Sequence, residues 1–353
     1  MPPPARLEDI AAKVGVSVST ASRALAGNPA ISEETRRSVQ EAAAALGYRL
    51  PTQGRRTRKA ATRMVGVVVG ALHNRFMTQL LEHLHHSLHE SGYQITLIID
   101  TMIEAGALQT LRPLVDGYLD GLIIATATLD SPVVAELRRR GIPIVLVVRS
   151  VDQPGLDTVE IDNVHAGEVA VRHLVELGHR KIGLVMGPRN TSTSRDRVAG
   201  TLRYLESQGF ATADVPLVWG EYTTESGYSA AMAMLEAHPD LTGIVTGNDT
   251  IAIGVLEAAR RRGLTVPEQL SVIGFDDIPI AGSPLVALTT IRQPVEAMAR
   301  TAARRLVERM NSRAPSAALR DLLPIHLIQR GTTAPAPAPA PAPANPRRGS
   351  RRG

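Results

Sequence analysis

The sequence predicts an all-α headpiece of helix-turn-helix type followed by an α/β core of two parallel-sheet subdomains, and three observations carry that expectation. Small and apolar residues in LEDIAAKVGVSVSTASRALA, Leu7 to Ala26, recur at helical spacing on both sides of Gly15. From Met64 onward, short apolar runs alternate with segments long enough for crossover helices. Aromatic residues are only 3% of 353, so the cores are built from Val, Ile, Leu and Ala, which suits buried parallel strands.

In the headpiece, Ile10 and Val14 form one apolar stripe, Ala11 allows close helix approach, and Ala21 and Ala24 form the matching stripe on a second helix. Gly15 tolerates the positive φ of a tight turn, and the Ser17 hydroxyl is placed to cap the second helix. Such a second helix lies in the major groove, which nominates Val18, Ser19 and Arg23 for base edges. Arg23 matches guanine O6 and N7 with two parallel donors. Ser17, Thr20, Ser22 and Asn28 are expected on phosphates, contacts that position without specifying. A third helix follows Ser32 as N-cap, with Glu33 and Glu34 in its first turn, Val39, Ala42, Ala43 and Leu46 on one face, and Gly47 as its stop. A three-helix bundle with no nucleic-acid role shares these stripes.

Leu7 to Tyr48, including VGVSVSTASRALAGNPAISEETR and the closing ALGYR, resembles the headpiece of the LacI/GalR family of bacterial transcription regulators. Two positions depart from the family pattern. Arg6 stands where relatives start the first helix with a threonine cap, and Ala26 replaces a frequent asparagine; both weaken caps or backbone contacts without undoing the fold. The headpiece is bounded at residues 1–50. Residues 51–63, PTQGRRTRKAATR, follow it. Pro51 and Gly54 interrupt helix there, while Arg55, Arg56, Arg58, Lys59 and Arg63 make a dense cationic run. This segment is either a plain basic linker or, as the resemblance implies, a hinge helix on DNA. Relatives wedge a leucine into the minor groove at a position falling near Thr57, so arginines entering a narrow groove are the natural substitute.

Charge separates along the chain. Residues 1–63 carry eleven Lys/Arg against five Asp/Glu, and the last 20 carry four Arg and no acid. With a total of +5, the middle is therefore acidic. Basic ends on an acidic body suit a DNA-docking module joined to a separate sensor. No apolar run approaches the roughly 18 residues of a membrane span. MPPPARLEDI lacks the design of a secretory signal, and the absence of cysteine excludes disulfide and thiolate chemistry. A bacterial cytoplasmic protein without a membrane partner is the expectation.

In the core, MVGVVVG, YQITLIID, GLIIA, IPIVLVV, KIGLVMG, LTGIVTG and LSVIGFDD read as short, fully buried strands. Seven strands exceed one compact unit, so two sheets with a cleft between them are expected. DNVHAGEVAVRHLVELGHRKIGLVMGP, SRDRVAGTLRYLESQGF, GNDTIAIGVLEAARRRGLTVPEQLSVIGFDDIP and LTTIRQP are similar to the effector-binding core of the same family. The resemblance covers residues 6 to 331. It implies a periplasmic-binding-protein-like core over 64–331 with chain crossovers near 162, 291 and 322, and a homodimer on a near-palindromic double-stranded operator.

The resemblance also assigns effector contacts: Arg197 in DRVAG, Asn248 in GND and Asp276 in FDD, with Thr193, Tyr222 and Gln293 beside them and the stretch from Leu72 through His73 to Phe76 on the facing wall. Arg197 and Asp276 can grip hydroxyls or a carboxylate from opposite sides, and Tyr222 can cover an apolar face. Many sugar-responsive relatives place an aspartate at the end of the fourth strand, where this chain has Val148-Arg149. Arg149 either favours an anionic ligand or is a surface arginine answering Asp152 or Glu160.

Enzymatic chemistry is not indicated. Asp276 and Asp277 are adjacent and diverge at a strand end, and there is no glycine-rich phosphate loop, GxSxG elbow or HExxH motif. No cofactor is implied. A transport-type binding protein shares the core but not the headpiece; an activator of the same family is the other alternative to a repressor. Five histidines, His73, His83, His85, His86 and His89, crowd one stretch. On the helix expected over Phe76 to Ser91, His85 and His89 share a face, but no further ligand completes a set and no metal is assigned. After Gly331, residues 332–353 alternate Pro and Ala and end in PRRGSRRG, which predicts an extended tail. It lacks the leucine heptads by which some relatives pair dimers, which favours a dimer.

Overall fold

The computed structural model describes residues 7–25, 28, 30–46, 62–99, 114–115, 117–153, 155–312 and 317–337. The chain divides into two compact units, Met1–Ala60 and Ala61–Gly353.

The first unit is three helices, α1 (Leu7–Val14), α2 (Val18–Leu25) and α3 (Glu33–Ala45). Ile10, Ala11, Ala21, Ala24, Val39, Ala42 and Ala43 close its core. Gly15 sits at φ +75° in the turn after α1, a conformation that costs a Cβ-bearing residue energy. Ser17 caps α2 by accepting from Thr20 N at 3.1 Å, and Ser32 caps α3 by accepting from Thr35 N at 3.3 Å. Helix α3 ends with its C-cap at Leu46; the expected stop, Gly47, lies outside the described residues, as do Arg6 and Ala26. Arg36 on α3 donates to the carbonyls of Asn28 and Ile31, which pins the loop that follows α2.

The second unit holds two six-stranded sheets. In the first, β1 (Met64–Val69), β2 (Gln94–Ile99), β3 (Gly121–Ile124), β4 (Ile144–Val147) and β5 (Asp157–Ile161) join β11 (Arg320–Leu323) in the order β11-β5-β4-β3-β1-β2. Every pairing in it is parallel. In the second, β6 (Ile182–Met186), β7 (Leu217–Trp219), β8 (Gly243–Thr246), β9 (Ser271–Asp276) and β10 (Thr289–Arg292) join β12 (His326–Ile328) in the order β12-β10-β9-β8-β6-β7. Only β12 runs antiparallel, against β10. The helices between strands are α4 (Arg75–Glu90), α5 (Pro132–Arg139), α6 (Asn163–Glu176), α7 (Ser192–Ser207), α8 (Thr224–Ala237), α9 (Asp249–Arg261) and α10 (Val295–Asn311).

The chain leaves the first sheet at Asp162, which caps α6 through a 2.9 Å bond from His165 N. It returns after β10 at Gln293-Pro294, because α10 packs on α4, β3 and β4. It crosses a last time at Pro324-Ile325, between β11 and β12. This winding leaves the C-terminal ends of both sheets' strands facing one cleft, the usual ligand position in open parallel sheets.

Seven strands were expected by apolar pattern, and β1, β2, β3, β4, β6, β8 and β9 match them. Strand β2 departs from full burial because it ends the sheet: Leu97 and Ile99 are exposed. The five strands without an apolar run are β5, β7, β10, β11 and β12. Strand β5 buries Asp157 and Glu160, two carboxylates that break any apolar run. Arg309 pairs with Asp157 at 2.5 Å and Arg320 pairs with Glu160 at 2.8 Å, so both carboxylates are neutralised from far along the chain.

The expected start of the tail at residue 332 is corrected. Thr332 and Thr333 are buried; the Thr332 carbonyl accepts from Val272 N at 2.8 Å, and Thr333 Oγ1 lies 2.9 Å from His173 Nε2. The Ala334 carbonyl is 3.0 Å from His179 Nε2, and Ala336 N donates to the Leu177 carbonyl. These backbone groups find partners that an isolated Pro-Ala segment lacks, and the core runs at least to Ala336. Burial lowers the affinity of His173 and His179 for protons, which keeps both imidazoles neutral in that seam.

Candidate functional site

The cleft is narrow and open to solvent, with about 300 Å³ of space between its walls when that open solvent is included. From the first sheet its walls are Asn74, Phe76 and Met77 after β1, with Val148 and Arg149 after β4. From the second they are Thr193 and Arg197 on α7, Tyr222 after β7, Asn248 after β8, Asp276 at the end of β9 and Gln293 after β10. Eight expected effector residues are thus brought together: Phe76, Arg149, Thr193, Arg197, Tyr222, Asn248, Asp276 and Gln293. Leu72 and His73 are not among the lining side chains, and both are exposed. They occupy the middle of the Ala71–Asn74 turn, closed by Asn74 N donating to the Ala71 carbonyl at 3.1 Å. Asn74, within the expected Leu72 to Phe76 stretch, caps α4 through Phe76 N and lines this wall with Phe76 and Met77.

Each polar group is held. Arg197 is buried; its Nε donates to Asn163 Oδ1 at 3.0 Å, its Nη1 to the Gly247 carbonyl at 2.5 Å, and its guanidinium lies 4.4 Å from the centre of the Phe275 ring. Asn248 caps α9 by accepting from Ile251 N at 2.9 Å, so its amide nitrogen is directed by a fixed oxygen. Tyr222 packs on Gly187, where an added Cβ would fall 2.3 Å from the ring. Its hydroxyl lies 2.8 Å from Thr193 Oγ1 and 2.7 Å from Ser194 Oγ. Arg149 stacks 5.4 Å over the same ring and reaches the Thr126 carbonyl at 3.4 Å. Asp152 pairs with Arg195 and Glu160 with Arg320. Arg149 also lines the cleft.

Gln293 Nε2 donates to Asp276 Oδ1 at 2.6 Å. Burial pushes the Asp276 carboxyl up to about 6, with Arg197 and the Gln293 bond acting against the rise. Asp249, one residue beyond Asn248, accepts from Thr290 Oγ1 at 2.5 Å and from Ile278 N at 2.9 Å. Burial, then the nearby Asp276 carboxylate, raises it well above the usual aspartate range. Asp249 and Asn163 were not picked out by sequence. Their task is to fix the neighbours of ligand-facing groups, and only the capping position of Asn248 and Asp249 at a helix start hints at it.

In the three-helix unit, α2 buries Ala21 and Ala24 and leaves Val18, Ser19, Ser22 and Arg23 exposed. Ser17 Oγ lies 2.9 Å from Ser19 Oγ and 2.8 Å from Thr20 Oγ1. The Arg23 Nε donates to the Ser19 carbonyl at 3.3 Å, which aligns the guanidinium with the α2 face. The Asn28 carboxamide oxygen accepts from Ala30 N at 2.9 Å, setting the turn after α2. Arg55, Arg56, Arg58 and Lys59 lie outside the described residues. On α4, the His85 and His89 rings stack with centres 5.9 Å apart and His86 meets Glu90. Among the described residues no group of three or more such side chains is arranged around a metal, and no helix is long and apolar enough to cross a membrane.

Residues 6–50 match the family described as bacterial regulatory proteins, lacI family, and residues 171–333 match the periplasmic binding protein-like domain. The chain is 35% identical over 340 residues to the HTH-type transcriptional regulator MalR of Streptomyces coelicolor, covering 94% of this chain and 97% of that protein. It is 31% identical over 330 residues to the HTH-type transcriptional repressor CytR of Escherichia coli, covering 93% and 96%. Among solved structures, it is similar to the transcriptional regulator CelR in its cellobiose complex, with a TM-score of 0.72, 28% identity and coverage of 93% and 99%. It is likewise similar to the lac repressor dimer bound to operator and the anti-inducer ONPF, with a TM-score of 0.70, 26% identity and coverage of 94% and 100%.

Proposed function

The chain belongs to the LacI family of bacterial regulatory proteins, DNA-binding transcriptional regulators rather than enzymes, and on that premise we propose that it is a homodimeric repressor switched by a small polar metabolite in the cleft. One observation supports this most: a single chain carries both an exposed α2 face of Val18, Ser19 and Arg23 and a two-sheet cleft of converging polar groups. A repressor relative, CytR, supports the sign; the lac repressor structure is a dimer on operator. Such a protein works in the bacterial cytoplasm, where its DNA is.

In this reading Arg23, Val18 and Ser19 read base edges while Ser17, Thr20, Ser22 and Asn28 hold the phosphates. Two copies place two α2 helices on half-sites about one turn of DNA apart, which requires a near-palindromic operator. The ligand switches the protein only by binding one arrangement of the two sheets better than the other. Groups from both sheets line the cleft, so a closed arrangement gains contacts that an open one lacks. Closure then alters the spacing of the two 51–63 segments and with it the fit of the headpieces.

Selection of random duplexes by the purified protein tests the reading. The expected result is a near-palindromic consensus bound at least 10³-fold, on the order of known specific sites, over scrambled duplex. Recovery of no consensus, or turnover of a candidate ligand in proportion to protein, sinks it.

A further inference from the structure

The charge balance of the cleft deepens the regulator reading, on which it rests. Among the described residues lining the cleft, the charged side chains are Arg149, Arg197 and Asp276, two cations against one carboxylate. The two cations are not equivalent. Arg197, on the second wall, bonds Asn163 and the Gly247 carbonyl, lies against the Phe275 ring and faces the Asp276 end. Arg149 comes from the other sheet and lies against Tyr222, whose hydroxyl meets Thr193 and Ser194 in the first turn of α7. That end of the cleft therefore gathers a guanidinium and the Thr193 and Tyr222 hydroxyls, with no carboxylate among the lining side chains.

Tyr222 reports the local field. Burial pushes its phenol up, yet Arg149 and Arg197, with the Ser194 and Thr191 bonds, draw it below its ordinary value. The Arg149 and Arg197 charges that act on this phenol act likewise on an anion placed beside it. The Arg149 guanidinium also lies 5.4 Å over the Tyr222 ring, a cation–π contact that holds it at this end of the cleft.

We infer that the effector is a polyhydroxylated anion, a sugar carrying a phosphate or a carboxylate, with hydroxyls on Asn248 and Asp276 and its anionic group between Arg149 and the Thr193 and Tyr222 hydroxyls. Arg149 belongs to the first sheet and the hydroxyls to the second. The anion thus links the two walls through charge-assisted hydrogen bonds, which are shorter and stronger than neutral ones. It favours the closed arrangement for that reason.

The test uses the full chain with hexose and pentose phosphates, aldonic and uronic acids, their uncharged parents and inorganic phosphate, read by thermal shift and calorimetry. At least one sugar anion should bind tenfold or more tightly than its parent, and raised salt should weaken it. Arg149→Gln should cut the preference by about ten- to hundredfold, the scale of a lost charge-assisted bond. Arg149→Lys should keep most of it, and the salt response of the unaltered protein decides the matter should the Gln variant fail to fold. Which acid wins, phosphate or carboxylate, identifies the group. The inference is overturned if no sugar anion binds, if an uncharged parent binds as tightly as its acid, or if Arg149→Gln keeps the preference. Operator binding by ligand-free protein is scored separately: sugar-anion binding without any preferred duplex keeps this inference and sinks the regulator reading.

Discussion

Asp276 and Asp277 sit at φ of +117° and +58°, and Val148 at +71°. Such conformations cost about 1–3 kcal/mol each in residues with a Cβ. All three lie where a strand ends at the cleft, so the strain has a geometric result. Val148 turns the chain so that Arg149 follows into the cleft. The β9 elbow sends Asp276 to Gln293 and Asp277 to Arg292 and Arg330, which separates the carboxylates and removes them as an acid–base pair. Asp276 adds an electrostatic cost. Its carboxyl is raised from 3.8 to about 6, so the folded chain holds that proton more tightly than the unfolded chain, and stability falls as pH rises through this window and stays lower above it. Asp276→Asn should raise the Tm at about pH 8, with a gain on the order of 2–3 kcal/mol at most, and the gain should close as pH falls toward about 4. The same variant should lose sugar binding; a Tm gain that ignores pH would place the cost elsewhere. At the other site, Arg23→Ala should lose about 1–3 kcal/mol on the operator and little on scrambled duplex. Equal losses on both duplexes would make Arg23 a phosphate contact.

At the scale of elements, the second sheet is flanked by two helix pairs that touch backbone to backbone. A Cβ on Gly200 of α7 would stand 1.8 Å from the Val164 carbonyl oxygen of α6, and one on Gly167 of α6 would stand 2.0 Å from the Arg197 carbonyl oxygen of α7. Gly227 of α8 and Gly254 of α9 repeat the arrangement against the carbonyls of Ile251 and Thr224. Helices α7 and α9 carry Arg197 and the Asn248 cap, so these contacts set the depth of the cleft's polar groups. Gly200→Ala should therefore lower stability by about 1–3 kcal/mol through overpacking, and in the folded fraction should weaken sugar binding by moving Arg197. Unchanged calorimetric affinity would show that α7 shifts as a whole without disturbing the site. Strands with continuous apolar runs were legible in the sequence because local hydrophobicity alone buries them. Strands β5, β10 and β11 were not: DTVEI, TTIR and RDLL are stabilised by partners such as Arg309 and Arg320, which lie about 150 residues from the acids they neutralise. The cleft was legible wherever a polar residue ends an apolar strand, as Asn248 and Asp276 do. It was less legible at Leu72 and His73, exposed in the Ala71–Asn74 turn, where no apolar strand fixes which side chain faces inward.

For the whole molecule, the proposed switch couples a ligand-binding core to a DNA-binding headpiece, and the sequence joins them by Arg55, Arg56, Arg58 and Lys59. Those residues lie outside the described part of the chain, so their charge rather than their conformation carries the expectation. Each phosphate neutralised contributes a slope of about −0.9 to log K against log salt. If all four side chains meet phosphates or line a narrow minor groove, replacing them by Gln should flatten the slope for operator binding by several units and remove much of the affinity at low salt. Ligand binding by the core should not change, because the described residues that line the cleft run from Asn74 to Gln293. With no leucine in residues 51–63 to unstack a base step, the bound operator should also bend less than one wedged open by an apolar side chain. An unaltered salt slope in the quadruple variant, or a sharp central kink in the bound operator, would show that the segment docks by something other than its charge.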